Sequence, residues 1–193
     1  MHISGKRLTL RDVQERDIDP LTHWLHPRHE WHKLNGPYYP PTPPDKIPDM
    51  VANWLKGDTH ALRRRLPITD NATDKLIGMV SRYWISAETN WTAIGIVIYD
   101  SAHWGRGYGY DALGMWCEYL FTSEPKFARL DLRTWSGNVG MVKLAEKLGF
   151  QREATFRKAR IVDGEYYDGL GYGILREEWN ERYAGGFAKG ENA

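Results

Sequence analysis

A glycine-rich turn between a predicted strand and a predicted helix constrains this 193-residue chain more than any other stretch. Thr92–Tyr99 is an apolar run that predicts a buried strand, and Ser101–Thr122 continues through the turn into an amphipathic helix. Gly105, Gly107 and Gly109 lack a Cβ, so they can adopt positive φ and let another molecule approach the main chain. Free N–H groups at a helix start, aided by the helix dipole, favour a phosphate group. The order of elements therefore predicts a phosphate-binding turn, with a purely geometric role of the glycines as the alternative.

The spacing of these glycines excludes two widespread phosphate-binding motifs. It matches neither the dinucleotide fingerprint Gly-x-Gly-x-x-Gly nor the P-loop Gly-x-x-x-x-Gly-Lys-Ser/Thr. The segment from Trp104 to Gly109 instead resembles the pyrophosphate loop of the GNAT superfamily of acyl-CoA N-acyltransferases, whose pattern is Gln/Arg-x-x-Gly-x-Gly/Ala. Trp in place of Gln or Arg at the first position is similar to the RimJ/RimL branch, whose members acetylate α-amines of proteins or amines of small molecules.

A second segment further along the chain carries the same resemblance. Asn138, followed by Leu144 and Lys147–Phe150, resembles the GNAT segment Asn-x-x-[Ala/Ser]-x-x-Leu-x-x-Lys-x-Gly-Phe. Two motifs in the expected order are much more specific than either motif alone. The resemblance covers most of the chain, from Lys6 to Trp179.

The resemblance implies an α+β (mixed α/β) GNAT fold, with a central twisted, mostly antiparallel sheet of about seven strands flanked by about four helices. The residue patterns predict strands at Lys6–Val13, Ala61–Ile68, Lys75–Trp84, Trp91–Tyr99, Arg129–Trp135, Gln151–Ile161 and Tyr166–Leu175. They predict helices that start at Asp17, at Asp45, after the glycine turn and after Asn138, and a short terminal helix at Arg176–Tyr183.

Composition indicates one domain of ordinary size. Hydrophobic residues make up 41% of the chain, so we expect a single N-acetyltransferase domain over 1–183 and a disordered, Gly- and Ala-rich tail over 184–193. Lys plus Arg number 26 against 25 Asp plus Glu, which gives no reason to expect a nucleic-acid partner. The single cysteine, Cys117, excludes an internal disulfide.

The sequence gives no sign of export, membrane insertion or metal binding. The first residues lack an apolar leader and no run of 18 apolar residues occurs, so we expect a cytoplasmic protein without a membrane partner. His23, His26, His29 and His32 recur at every third position, but Pro27 interrupts the helix between them. We therefore expect no metal, and either a monomer or a homodimer.

The family resemblance implies that acetyl-CoA is the co-substrate and suggests which residues bind it. Arg106 would add charge at the pyrophosphate, Asn138 would lie against the pantetheine arm, and Lys143 would lie near the outer phosphates. A role for Asn138 as a helix cap is the alternative. The strand ending at Tyr99 would splay from its neighbour, and Gly95 within it is consistent with a bulge or a close backbone approach. The implied cofactor-binding residues are Ile96, Val97, Ile98, Trp104, Gly105, Arg106, Gly107, Tyr108, Gly109, Tyr110, Asn138 and Lys143.

The acceptor site is expected beside a proline-dense loop, Asn35–Pro44. In the GNAT superfamily the segment between the first two helices lies over the acceptor. The resemblance therefore places Trp31, Tyr38 and Tyr39 near the incoming amine, which would belong to a small molecule or a peptide N-terminus. Prolines that only fix the crossing between two helices are the alternative.

The chemistry implied is direct attack of an amine on the thioester in a ternary complex, and here the chain departs from its family. Ala93 stands where many relatives carry a glutamate base, and Ala145 stands where others carry a tyrosine acid. Water-relayed removal of the amine proton is therefore expected. Asp168 matches an acidic position common in the RimJ/RimL branch and is the candidate for orienting or deprotonating the amine, with a structural aspartate at a strand end as the alternative. A non-catalytic acyl-CoA-binding sensor or interaction module is the competing function.

Overall fold

The computed structural model describes residues 1–57 and 62–187, in which a single sheet of eight strands is combined with five α-helices. The α+β prediction is confirmed, with one strand more than the approximate number expected, and the fifth helix is the short terminal one. The strands are β1 His2–Ser4, β2 Leu8–Arg11, β3 Arg65–Asp70, β4 Leu76–Ser86, β5 Trp91–Ile98, β6 Arg129–Trp135, β7 Gln151–Val162 and β8 Glu165–Leu175. The helices are α1 Ile18–Leu25, α2 Ile47–Leu55, α3 Tyr108–Ser123, α4 Val139–Leu148 and α5 Arg176–Arg182.

The additional strand lies at the N-terminal edge of the sheet. β1 pairs antiparallel with β2, and Ile3 lies opposite Leu10. Three residues are too few to show an alternating pattern, which is why sequence alone did not predict this strand. The strand expected at 61–68 begins instead at Arg65, and Ala61 lies outside the described residues.

The sheet is antiparallel except where β5 meets β6. The strand order is β1-β2-β3-β4-β5-β6-β8-β7, and α3 is the crossover that allows β5 and β6 to run parallel. Their pairing is confined to Thr92–Ile94 against Leu130–Leu132. β5 continues to Ile98 and β6 to Trp135 without a further registered pair. The two strands therefore separate in the middle of the sheet, as the family resemblance implied.

Helices cover the two faces of the sheet with separate apolar clusters. On one face α3 contributes the fully buried Leu113, Trp116 and Leu120 to the larger cluster. On the other face α1 and α2 pack Leu21 and Val51 against β4. None of the helices in the described ranges combines the length and the apolar character needed to cross a bilayer. Helices thus pack on both faces of the sheet, while β7 at its edge is largely exposed and β5 and β6 diverge in its middle.

The ordered chain extends past the predicted domain end at residue 183. Phe187 is only 2% exposed, and its ring centroid lies 5.3 Å from that of Tyr110 and 5.9 Å from that of Trp179. A Cβ on Gly114 would lie 2.0 Å from Phe187, so a glycine on α3 makes room for this ring. The domain end at 183 and the disordered tail from 184 stay predictions; Phe187 packs on the domain, and 188–193 lie outside the described residues.

Candidate active site

The glycine turn forms the N-terminal end of α3. Gly105 and Gly107 have φ of 70° and 86°, in the left-handed region that a side chain disfavours, and Gly107 is the N-cap of α3. The first helical hydrogen bond runs from the Asp111 N–H to the Gly107 carbonyl at 3.1 Å. The N–H groups of the first turn therefore have no acceptor within the helix, which leaves them free to donate to an anion.

Arg7, which was not among the predicted site residues, stabilises the glycine turn through two hydrogen bonds. Its Nη1 donates to the main-chain carbonyl of Arg106 at 2.8 Å, and its Nε donates to Asp111 Oδ2 at 2.8 Å. A Cβ on Gly107 would lie 2.7 Å from Arg7 Nη2. Glycine is thus required at 107 both for its backbone conformation and for the space that the guanidinium occupies.

The side chains of Tyr108 and Tyr110 point into the protein rather than toward the turn. The Tyr108 hydroxyl donates to Asp70 Oδ2 at 2.7 Å, an interaction that raises the pKa of Tyr108 and lowers the pKa of Asp70. The Tyr110 ring packs against Phe187 and lies 4.5 Å from Lys147 Nζ. Both side chains are half-buried and engaged in these contacts, and neither lines the loop cavity that adjoins the turn.

A cavity of about 220 Å³ extends from the glycine turn along β5, and we call it the loop cavity. The indole nitrogen of Trp104 donates to the Ile98 carbonyl at 2.9 Å and fixes one wall. Arg106, Gly107 and Lys143 lie outside its described lining, and Lys143 is exposed on α4. The predicted cofactor residues that line the loop cavity are Ile96, Val97, Ile98, Trp104, Gly105, Gly109 and Asn138.

A second cavity of about 520 Å³ lies between the separated ends of β5 and β6, and we call it the strand cavity. Its lining includes Tyr38, Ser81, Gly95, Trp135 and Phe156, which come from five different segments of the chain. The two cavities meet, because both are lined by Leu34, Asn35, Ile96, Asn138 and Met141.

Asn138 is the cap of α4 and also the anchor of the segment before the proline-dense loop. Its Oδ1 accepts a hydrogen bond from the Met141 N–H at 3.0 Å. Asn138 therefore caps the helix, as the alternative interpretation expected. Its Nδ2 donates to the Leu34 carbonyl at 3.1 Å, and the Trp135 indole donates to the same carbonyl at 2.9 Å. Asn138 thus shapes the junction of the two cavities by holding Leu34 against β6.

The three predicted acceptor-binding aromatics are divided between the cavities. Trp31 is buried, lines the loop cavity and donates from its indole to the Trp24 carbonyl at 2.8 Å. Tyr38 and Tyr39 line the strand cavity, where Tyr39 is 64% exposed. The Tyr38 ring lies edge-on to Trp135, with centroids 6.4 Å apart. The structure therefore groups Tyr38 with Tyr39 in the strand cavity, while Trp31 and Tyr39 together line a third cavity.

Gly95 does not form a bulge. It pairs in register with Ser81, and the β4–β5 irregularity lies at Trp84 and Ser86 instead. A Cβ on Gly95 would meet only the Ser81 hydroxyl, at 3.5 Å. The lack of a side chain at Gly95 leaves more space in the strand cavity. This agrees with the alternative prediction, in which another molecule approaches the backbone closely at this glycine.

Asp168 holds a bulge in the neighbouring strand. Its Oδ1 accepts the N–H of Lys158 at 2.8 Å, and Lys158 has a φ of 55° within the register shift between Phe156 and Arg160. Asp168 lies outside the described lining of both cavities. This contact is the one expected of the structural alternative, and the role of Asp168 as a base stays a prediction.

Sequence reasoning missed several side chains of the strand cavity. Tyr83 lines it from β4, Arg133 from β6 and Arg160 from β7. Burial raises the pKa of the Tyr83 hydroxyl, and the positive charge of Arg133 opposes that rise. Tyr83 is therefore a protonated hydrogen-bond donor at neutral pH. No local motif marks these residues, because only the pairing of β4 through β8 brings them together.

Known proteins match this chain over most of its length. A family model described as acetyltransferase (GNAT) domain matches residues 7–151. The chain belongs to the GNAT acetyltransferase family. It is similar to the uncharacterized N-acetyltransferase YnaD of Bacillus subtilis, with 29% identity over 93% of this chain and 100% of that protein.

Solved GNAT structures share the fold of this chain. One is a spermidine N-acetyltransferase from Vibrio cholerae in complex with CoA and spermine, with a TM-score of 0.74 and 21% identity over 91% of this chain and 99% of that chain. Another is a ribosomal-protein-S5-alanine acetyltransferase from Vibrio fischeri, with a TM-score of 0.73 and 17% identity over 93% of this chain and 98% of that chain. The predicted family, fold and enzyme class are confirmed.

Two positions of common GNAT catalysts are occupied by interior alanines in this enzyme. Ala93 on β5 and Ala145 on α4 are both fully buried. Neither position can therefore supply an acid or a base to the cavities. Proton transfer in this GNAT enzyme has to use other groups or water.

Three of the four regularly spaced histidines of this GNAT chain, His23, His29 and His32, pack with aromatic rings. The rings of His23 and His29 lie 4.5 Å apart, and Trp24 lies 4.8 Å from His29. Burial lowers the pKa of His29 and of His32, which keeps both rings neutral near pH 7. Within residues 1–57 and 62–187, no group of three or more His, Cys, Asp or Glu is arranged to hold a metal.

Proposed function

We propose that this GNAT enzyme is a cytoplasmic, acetyl-CoA-dependent N-acetyltransferase that acts on a primary amine of a small molecule or of a peptide N-terminus. The observation that carries the proposal is the meeting of two cavities at the divergence of β5 and β6. Donor and acceptor can approach this junction from opposite ends. Direct attack in a ternary complex, in a monomer or a homodimer, fits this arrangement.

The residues of the loop cavity and the glycine turn fit acetyl-CoA. Free N–H groups of the first turn of α3 suit the diphosphate, and Arg106 and the exposed Lys143 provide positive charge near it. Past Ile94, the side of β5 that faces β6 has no strand partner, which leaves main-chain groups of 96–98 for the pantetheine arm. Acetyl-CoA, when bound, supplies the activated acetyl group as a thioester.

The strand cavity can bind the acceptor amine, but its described lining contains none of the side chains that commonly act as a base. In the described part of the chain, no Asp, Glu or His lines it. An ammonium group must lose a proton before attack, so we propose that water in the cavity removes it. Tyr83, whose pKa is raised by burial, is the proposed donor that protonates the leaving thiolate or hydrogen-bonds to it.

Two measurements with acetyl-CoA test the proposal. Saturating acetyl-CoA should raise the melting temperature, and a panel of primary amines should release free thiol with an acetylated product detected by mass. Absence of a thermal shift would contradict the proposal at its first step. A shift without thiol release from any amine would favour a non-catalytic acyl-CoA sensor.

A matched pair of glycine variants tests the role of the turn. Gly105 and Gly164 both have positive φ, 70° and 84°, and a Cβ on either meets nothing within 4 Å. Gly105→Glu places a carboxylate where the diphosphate is proposed to bind and should abolish the acetyl-CoA shift. Gly164→Glu carries the same backbone strain in the β7–β8 hairpin and should retain the shift. Equal loss in both variants would contradict the assignment.

A further inference from the structure

The strand cavity is positively charged. Arg133 and Arg160 line it, and within the described ranges no Asp or Glu does. Neither arginine forms an ion pair with another described residue. We propose that the acceptor of this enzyme is a small amine that also carries an anionic oxygen group, such as a carboxylate, and that Arg133 and Arg160 bind that group. This inference rests on the proposed function and specifies its substrate class.

The Arg160 guanidinium is held in place by neighbouring groups and still has N–H donors that can bind a ligand. Its Cζ lies 4.5 Å from the centre of the Tyr38 ring, and its Nη1 donates to the Ala159 carbonyl at 3.2 Å. Its Nε is buried and has no hydrogen-bond partner among the described residues. A guanidinium presents a planar set of donors that matches the two oxygens of a carboxylate, and a fixed one loses little freedom on binding.

The backbone of β7 forms a bulge immediately before Arg160, and this bulge affects the direction of the Arg160 side chain. Phe156 pairs with Gly169 and Arg160 with Tyr167, so β7 carries two more residues than β8 across this interval. Asp168 accepts the Lys158 N–H at 2.8 Å inside this bulge. Bulges commonly re-aim side chains beside active sites. Asp168 therefore stabilises the bulge that precedes Arg160.

Arg133 contributes from the facing strand. It lies on β6 beyond Leu132, the last residue of β6 that pairs with β5, and its side chain is exposed. Its charge acts on Tyr83, which lines the same cavity from β4. An anionic group bound in the strand cavity would thus be flanked by cations from β6 and from β7.

The same two charges select against cationic acceptors and assist the reaction. A linear polyamine would bring further positive charge to a cavity that has no described carboxylate to balance it. An amine bound near two guanidinium groups has a lowered pKa, because positive neighbours disfavour its protonated form. The cavity therefore favours the neutral nucleophile in the absence of a side-chain base.

A set of matched acceptors tests the inference. The panel contains an α-amino acid, its carboxamide, the corresponding aminoalkylphosphonate and a linear triamine. We expect kcat/KM for the carboxylate or the phosphonate to exceed that for the carboxamide by about tenfold or more. The carboxylate and phosphonate arms identify which anionic group the site prefers. Equal or faster acetylation of the carboxamide or the triamine would overturn the inference and leave the proposed function standing.

Arginine variants locate the effect in the cavity. Arg133→Gln and Arg160→Gln should each lower kcat/KM for the anionic acceptor by about tenfold and reduce its advantage over the carboxamide. Arg157→Gln is the control, because Arg157 is an exposed residue of the same strand and lies outside the described lining. An equal loss in Arg157→Gln would show that bulk charge, not this cavity, sets the preference, and would contradict the inference.

A binding measurement tests the cavity independently of turnover. Calorimetry with the N-acetylated amino acid and its N-acetylated carboxamide, in the presence of CoA, should show at least about tenfold tighter binding of the acid. Equal affinities would overturn the inference even if acetylation occurs. Absence of any acetyl-CoA binding would contradict the proposed function. The titrations with the acid and the amide, repeated without CoA, would then still show whether the strand cavity prefers the anionic compound.

Discussion

The guanidinium of Arg7 donates a hydrogen bond to the main-chain carbonyl of Arg106 at 2.8 Å, which ties the segment between β1 and β2 to the glycine turn. The same group donates to Asp111 on α3. Two contacts on either side of Gly107 fix the direction of the N–H groups that the diphosphate is proposed to meet.

Arg7→Ala should therefore weaken acetyl-CoA binding. We expect the Kd to rise by about tenfold, since a turn released from two charge-assisted hydrogen bonds has to be reordered on binding. Titration calorimetry with acetyl-CoA measures the change. Arg16→Ala is the control, because it removes an exposed ion pair with Asp74 and should leave the Kd unchanged. An unchanged Kd in Arg7→Ala would show that the turn is rigid without this contact.

Asn138 has two separable roles, and two variants should distinguish them. Asn138→Ala removes both the cap of α4 and the bond to Leu34, and should lower the free energy of unfolding by about 1–2 kcal/mol. Asn138→Asp keeps an oxygen for the Met141 N–H but cannot donate to the Leu34 carbonyl. Urea unfolding should show a smaller loss for Asp than for Ala, while both should raise the KM of the acceptor. A normal acceptor KM in Asn138→Asp would contradict the anchoring role.

The parts of the site that sequence predicted are those whose signal is local. Gly105 and Gly107 stand at positions that need positive φ, and Asn138 caps the helix that follows it. Each of these functions is set by a few neighbouring residues, so a short motif records it. The separation of β5 from β6 came from the family resemblance and was not derivable from either strand alone.

The parts that sequence missed depend on contacts between distant segments. Arg7 meets Arg106 across 99 residues, and Arg160 joins the strand cavity only because β7 pairs with β8 and bulges there. Asp168 was predicted as a candidate base because of its acidic side chain, but its carboxylate accepts a hydrogen bond from the backbone N–H of Lys158. Hydrophobic periodicity carries no information about such pairings.

The hydrogen bond between Tyr108 and Asp70 should make stability depend on pH in acid. Because this bond lowers the pKa of Asp70 from its ordinary value of 3.8, its contribution is fully present above that value. The contribution is lost as pH falls through the lower folded-state pKa. Tyr108→Phe should therefore reduce the free energy of unfolding by about 1 kcal/mol at pH 7 and by less at pH 3. Urea unfolding at both pH values measures this, and a difference that does not change with pH would contradict the linkage.

Phe187 should be a structural residue of the domain. Its ring is buried between α3 and α5, so Phe187→Ala should lower the free energy of unfolding by about 3 kcal/mol through lost burial and the cavity left behind. Chemical denaturation measures the change. Phe156→Ala is the comparison for stability, since Phe156 is 59% exposed and should cost less than about 1 kcal/mol. Equal effects would show that the chain beyond Tyr183 does not stabilise the domain.

The charge of Arg133 should appear in the pH dependence of kcat. If a bound ammonium loses its proton before attack, the acidic limb of the kcat profile reports the pKa of that amine in the ternary complex. A nearby guanidinium lowers this pKa, so Arg133→Gln should move the acidic limb to higher pH by about half a unit. Arg157→Gln should leave the limb where it is, because Arg157 lies outside the described cavity lining. A limb that shifts to lower pH, or not at all, would show that Arg133 does not face the reacting amine, whatever its effect on KM.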